Sequence, residues 1–137
     1  MRLIGFNFTK IYVERFKGFD KDLKVNTNID ISDVKKTDID FFKSKEEFVS
    51  VKFKYSINYE PDSAKIEFEG DMIVSAEPKQ IKDLMKKWEK KDVSDEFRPF
   101  LFNIILRKSN VRAIQLEEEM NLPFHIPLPR ISPKNKE

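Results

Sequence analysis

The stretch VSVKFKYSINYEPDSAKIEFEGDMIV, residues 49 to 74, decides the fold class. In its first half Val49, Val51, Phe53, Tyr55, Ile57 and Tyr59 alternate with Ser50, Lys52, Lys54, Ser56 and Asn58. In its second half Ala64, Ile66, Phe68, Gly70, Met72 and Val74 alternate with Lys65, Glu67, Glu69 and Asp71. A period of two places successive side chains on opposite faces of a strand, so each half is a strand with one dry face. Between them lies Glu60-Pro61-Asp62-Ser63, where proline presets φ and the short polar side chains bond turn backbone. The two strands therefore form a hairpin.

Working outward, Leu23, Val25, Thr27, Ile29 and Ile31 repeat the alternation, and Ile4, Phe6 and Phe8 begin it at the N-terminus. Parity changes from even to odd before Ile11 and Val13, which predicts a β-bulge near Thr9-Lys10. Strand one is expected to end near Gly18, and residues 34 to 47 read as a long connection between strands two and three. After Pro78 the period becomes helical. Ile81, Leu84, Met85 and Trp88 are spaced i, i+3, i+4, i+7 and share one stripe. Ser94 or Asp95 can cap a second helix with Phe97, Leu101, Ile104 and Ile105 as its core stripe. Val111 to Met120 reads as a further short helix with Glu117, Glu118 and Glu119 outward. The prolines at 123, 127 and 129 then forbid helix and favour an extended strip. The last residues, Ser132 to Glu137, are expected to fray. The expected architecture is a single α+β domain: a four-stranded antiparallel sheet over 1–76, helices over 78–120 packed on one face, and a Pro-rich extended tail over 121–137.

The chain has 137 residues with 26 Lys+Arg and 24 Asp+Glu, so no strong field directs it to nucleic acid or to a membrane surface. At this size about two-thirds of the unfolded chain's surface can be buried, enough to fold without staples. Cysteine is absent, which removes disulfides, thiol catalysis and thiolate metal sites, and the single histidine makes an imidazole cage unlikely to form. No cofactor is expected. No run approaches the ~20 apolar residues that cross a bilayer, and Met1 is not followed by an apolar export segment, so the expected compartment is the cytoplasm.

Catalysis finds no support: there is no G-x-S-x-G, no H-E-x-x-H, and only three glycines, with no phosphate-cradling loop. Glu67 and Glu69 fall on the wet parity beside Lys65 and read as a solvated face; His125, without a second imidazole or thiol, receives no role. The cluster Lys86-Lys87-Trp88-Glu89-Lys90-Lys91 suggests phosphate contacts, but Trp88 lies on the dry stripe and Asp83, Glu89 and Asp92 dilute the charge. Nucleic-acid binding is thus the weaker reading. What stands out is an apolar excess. Phe16, Phe19, Ile39, Phe41 and Phe42 occupy connections, and Phe124, Ile126 and Leu128 occupy the Pro-rich strip. These residues either plug the ends of the core or line a groove for extended, unfolded polypeptide. Phe100, Phe102 and Leu106 spread apolar area around the second helix, which predicts a homo-oligomer interface there.

Four strands, a long connection between the second and third, helices after residue 78 and a Pro-rich strip together resemble the SecB family of export chaperones. The residues carrying the resemblance are Ile11-Tyr12-Val13 in the opening strand, Arg98-Pro99-Phe100 through Leu106, and Asn121-Leu122-Pro123-Phe124-His125-Ile126-Pro127-Leu128-Pro129-Arg130-Ile131. The resemblance implies an ATP-independent holdase for unfolded client polypeptides, assembled as a homotetrameric dimer of dimers with sheets outside and helices sandwiched within. It also implies that the crossover from Val34 to Glu47 borders the client groove, which places Ile39, Phe41 and Phe42 there. Bacterial members are acidic and end in a further helix and tail that contact the translocation motor; this chain is basic, with pI ≈ 8.7, and stops soon after the strip. A motor partner is therefore not expected, and an antitoxin-like dedicated partner uses the same groove equally well.

Overall fold

A computed structural model describes residues 1–19, 21–38 and 45–133. Strands β1 (Arg2–Arg15), β2 (Lys24–Thr37), β3 (Glu47–Glu60) and β4 (Ala64–Ala76) precede helices α1 (Pro78–Trp88) and α2 (Arg98–Glu119). The strands form one antiparallel sheet in the order β1-β4-β3-β2, so the two strands of residues 49 to 74 are its centre. Their dry parity is buried almost without exception: Val51, Tyr55, Ile57, Ile66, Phe68, Met72 and Val74 are all inaccessible to solvent. The helices cover this face, with α1 against β2 and β3 and α2 against β3. Ile81, Leu84 and Trp88 from α1 and Leu101, Ile105, Ala113 and Leu116 from α2 complete the core.

The β3–β4 turn contains a cis Glu60–Pro61 bond, and Asp62 adopts φ 37°. Ser63 closes the turn: its N–H donates to Tyr59 O at 2.8 Å and its hydroxyl to Pro61 O at 2.9 Å. A register shift between Phe8 and Lys10 is the bulge expected from the parity change, and a second shift lies between Leu3 and Gly5.

Four local expectations are corrected. First, β2 does not end near Ser32. It bulges between Ile31 and Asp33 and continues to Thr37, which pairs with Phe48. The bulge turns Val34 to the core, so residues 34 to 37 are strand and the connection to β3 shortens to 38–46. Second, α2 is one 22-residue helix, not two pieces. Arg107-Lys108-Ser109-Asn110 contains no proline or glycine, and nothing in it interrupts the backbone ladder. Third, neither Ser94 nor Asp95 caps α2. Phe97 occupies the cap position without a side-chain bond, and Ser94 contributes its carbonyl to the N–H groups of Phe97 and Arg98. Fourth, Glu117 points inward and is fully buried. One of three consecutive glutamates must fall on the face shared with Ala113 and Leu116, given 3.6 residues per turn.

Candidate functional site

Past Glu119 the chain reverses. Leu122 donates its N–H to Glu117 O at 2.8 Å and buries its side chain, and residues 123 to 125 run back along the helix before the chain bends at His125 and Ile126. The direction is fixed by two pairs of contacts: Pro123 O meets the Tyr59 hydroxyl at 2.7 Å, and His125 Nε2 meets the Tyr55 hydroxyl at 3.1 Å. The strip therefore travels antiparallel to β3, beside α2.

Five side chains fasten it. Glu117, Tyr59, His125, Asn110 and Tyr55 form a continuous buried network. His125 Nδ1 lies 3.0 and 2.9 Å from the two Glu117 carboxylate oxygens, and its backbone N–H donates to the same carboxylate at 3.1 Å. The Tyr59 hydroxyl donates to Glu117 Oε2. On the far side of the ring, Nε2 is 2.9 Å from Asn110 Oδ1, to which the Tyr55 hydroxyl donates at 2.7 Å. The imidazole and carboxylate side chains are 1% and 0% exposed, so nearly every polar atom of the pair is satisfied by protein. His125, to which no role was assigned from the sequence, is thus a packed and fully bonded imidazole. The signal that was overlooked is the dry parity of Tyr55 and Tyr59: a phenol inside a core requires a polar partner from the element packed over it.

Burial pushes both phenols far above their ordinary range; the Glu117 charge adds to the effect at Tyr55, and the hydrogen bond and charge of Glu117 add to it at Tyr59. The folded state therefore holds these protons after the unfolded chain has lost them. Their contribution is constant below the ordinary phenol value of about 10 and is lost as pH rises beyond it, with a limiting slope of about 2.7 kcal/mol per pH unit for two protons. Urea unfolding midpoints measured from pH 8 to 11 are expected to fall above pH 10. Tyr55→Phe should flatten the decline by about half; an unchanged slope would place the phenol in a wet environment.

The network positions an apolar row. Phe124 and Leu128 are each 40% exposed, Ile126 is half-buried, and the three line a shallow depression with Pro127, Pro129 and Arg130. None of the three belongs to the buried core cluster. Phe19 joins them through Tyr59, with ring centroids 6.1 Å apart, and the Arg15 guanidinium stacks 4.6 Å from the Phe19 ring centre. Phe16 is 49% exposed, with its N–H on Ser63 O, at the same end of the sheet. Phe16, Phe19 and the start of the strip are therefore brought together. Ile39, Phe41 and Phe42 lie outside the described residues. Thr37, which leads toward them, is paired with Phe48 at the opposite end of the sheet from Lys24 and Glu60, about 40 Å away by strand rise.

Ile11 extends the apolar surface in a place not anticipated. It pairs with Phe68 and shares the dry parity, yet is 45% exposed because β1 lies at the sheet edge. On α2, Phe100, Phe102 and Leu106 are half-buried and flank the core, while Val111 is 58% exposed. The chain as a whole exposes 9425 Å², about a quarter more than the ~7,500 Å² of a compact monomer of this mass.

The polar surfaces are self-compensated. On the wet face Lys10 pairs with Glu67 and with Glu69 at 3.4 Å, and Lys65 pairs with Glu67 at 3.3 Å. The Lys10 hydrogen bond holds the Glu67 carboxyl below its ordinary range. The lysines of α1 share their depression with Asp83, Glu89, Asp92, Asp95 and Glu96, and Trp88 is buried away from any stacking base. Among the described residues, no three of His, Cys, Asp and Glu converge as a metal site, and no helix is long and apolar enough to cross a membrane.

No protein-family model matches the chain, and no curated protein matches it. Among solved structures it is similar to the SecB-like chaperone Rv1957 of Mycobacterium tuberculosis, a structure in complex with a ChAD peptide from the Rv1956 HigA1 antitoxin. The match covers 98% of this chain and 92% of that one, with a TM-score of 0.51 and 12% sequence identity. The two share a fold: a four-stranded antiparallel sheet with two helices, of the SecB-like kind.

Proposed function

We propose that the chain is a nucleotide-independent chaperone that holds unfolded polypeptide, acting in the cytoplasm as a homo-oligomer. The observation that carries this reading is the row Phe124, Ile126, Leu128, lining one depression around a fastened His125 yet left outside the core and open to solvent. Large aromatic and aliphatic side chains held at fixed positions, with Pro127 among them and Pro123 and Pro129 on either side, offer apolar area without a polar code, which suits clients of many sequences. The fold shared with a SecB-like chaperone solved on an antitoxin peptide supports a polypeptide partner. The excess exposed area, together with half-buried Phe100, Phe102 and Leu106 beside exposed Val111, supports self-association through α2.

Export and the guarding of one dedicated partner are two uses of the same surface. The paired charges of the wet face favour neither a motor nor nucleic acid as the receiver. The test is light scattering from an unfolded, aggregating protein diluted into increasing amounts of this one without nucleotide, with assembly mass determined on the same sample. Suppression near stoichiometric ratios, insensitive to salt between 50 and 300 mM, is expected, because apolar burial is not screened. Aggregation that proceeds unchanged removes the holdase reading, and binding that collapses with salt transfers it to the lysine-rich end of α1.

A further inference from the structure

Three facts about the strip are independent of its apolar character. Beyond His125, residues 126–133 make no hydrogen bond to protein among the described residues. Three of those residues, Pro127, Pro129 and Pro133, are prolines and have no N–H to offer. And His125, through which the segment is tied, makes three contacts to one buried carboxylate, two from its ring and one from its backbone N–H, and its ring makes two more to Asn110 and Tyr55. Apart from the Pro123 carbonyl on the Tyr59 hydroxyl, the polar fastening of the strip is thus concentrated at His125, among the side chains offered to solvent.

We propose that Glu117 and His125 are positioning residues for polypeptide binding: a carboxylate–imidazole latch at the bend of the strip that fixes the course of residues 124–128, so that Phe124, Ile126 and Leu128, which line one depression, meet a client as one preformed row. The inference rests on the chaperone reading and deepens it by assigning residues that do not touch the client. Its physical content is entropic. A free strip must be ordered each time it binds, at a cost in backbone entropy for each residue fixed, whereas a latched strip has already been ordered by folding. Glu117 supplies the anchor because a carboxylate sealed between α2 and β3 has nowhere else to find donors: Tyr59 gives one and His125 gives two. The latch is also specific in shape. Nδ1 faces the carboxylate, and the amide nitrogen of asparagine, one bond beyond Cγ, occupies nearly the same place as Nδ1.

That correspondence supplies the test. Because the chain has no cysteine, Arg130→Cys creates a single site for a nitroxide label, and its mobility reports whether the strip is fastened. The label is placed in the full chain with residue 125 as His, Asn or Leu. Affinity for reduced, carboxymethylated α-lactalbumin, a permanently unfolded chain, is measured on the same samples. His125→Asn keeps a donor toward Glu117 and is expected to retain slow label motion and affinity within about twofold. His125→Leu keeps apolar bulk but loses the donor, and should free the label and weaken binding about tenfold; Glu117→Gln should match it, and the double variant should be no worse than either alone. Slow motion retained in His125→Leu would overturn the latch by showing that packing alone holds the strip. A freed label with undiminished affinity would overturn its role in binding. A wild-type chain that fails to bind the unfolded probe overturns the chaperone reading itself, a result separable from the label's behaviour.

Discussion

Gly70→Val is expected to destabilise the fold by about 3 kcal/mol, the upper part of the range for over-packing a filled core. Gly70 sits on the dry parity of β4, between Phe8 of β1 and Phe53 of β3. Even a first side-chain carbon there would lie 2.5 Å from Asn7 O and 2.8 Å from Phe53 Cζ. The space above the glycine is taken by rings: Phe53 stacks on Phe6 at 5.2 Å and meets Phe8 at 6.3 Å, and Phe8 meets Phe68 at 5.2 Å. The ring of Phe53 can turn away only by abandoning these contacts, and the carbonyl of Asn7 belongs to the β1 backbone. The measurement is the urea midpoint of the variant against wild type. Combining Gly70→Ala with Phe53→Leu should recover part of the loss in the alanine variant. A midpoint shift equivalent to less than 0.5 kcal/mol, on the order of an ordinary surface substitution, would mean that the aromatic cluster repacks freely.

The second expectation concerns binding and leaves stability untouched. Replacing Phe124, Ile126 and Leu128 together by serine removes the open row while sparing the core, since none of the three belongs to the buried cluster. Full burial of such a side chain is worth about 1.5–3 kcal/mol, so a client that covers only part of the remaining area loses about 3 kcal/mol over three sites, roughly a hundredfold in affinity. The melting temperature should stay within about 2 °C of wild type. If the triple variant suppresses aggregation as well as wild type, clients bind elsewhere; if it melts early, the row is part of the core.

The contrast between these two outcomes reflects what was legible in the sequence. The central hairpin was readable because both strands are buried on one face only, and a one-sided strand writes its orientation into every second residue. The bulge at Thr9-Lys10 was readable for the same reason. The equivalent irregularity at Ile31 and Asp33 was not, because only one apolar residue, Val34, follows it before the sequence turns polar at Lys35 and Lys36. The exposed residues Phe16, Phe124 and Leu128 were identifiable as apolar excess, although whether they plugged the ends of the core or lined a groove depended on packing that no periodicity encodes. The network beneath them was hidden for a different reason. Glu117 and His125 are eight residues apart across a chain reversal, and each is bland alone; only the turn at Asn121 and Leu122 brings them together.

All three register irregularities fall in the outer strands, two in β1 and one in β2, while β3 and β4 pair without interruption. An outer strand presents unpaired N–H and C=O groups, and a straight one is a template on which foreign strands zip up without limit. A bulge bends the strand and strengthens its local twist, which breaks that template into short lengths; on β2 the longest regular length is 24 to 31. On the proposed chaperone reading, a surface that attracts aggregation-prone chains is also one on which a fibril is easily seeded. Placing the irregularities at the rim lets the sheet remain closed to endless growth while the apolar row stays open.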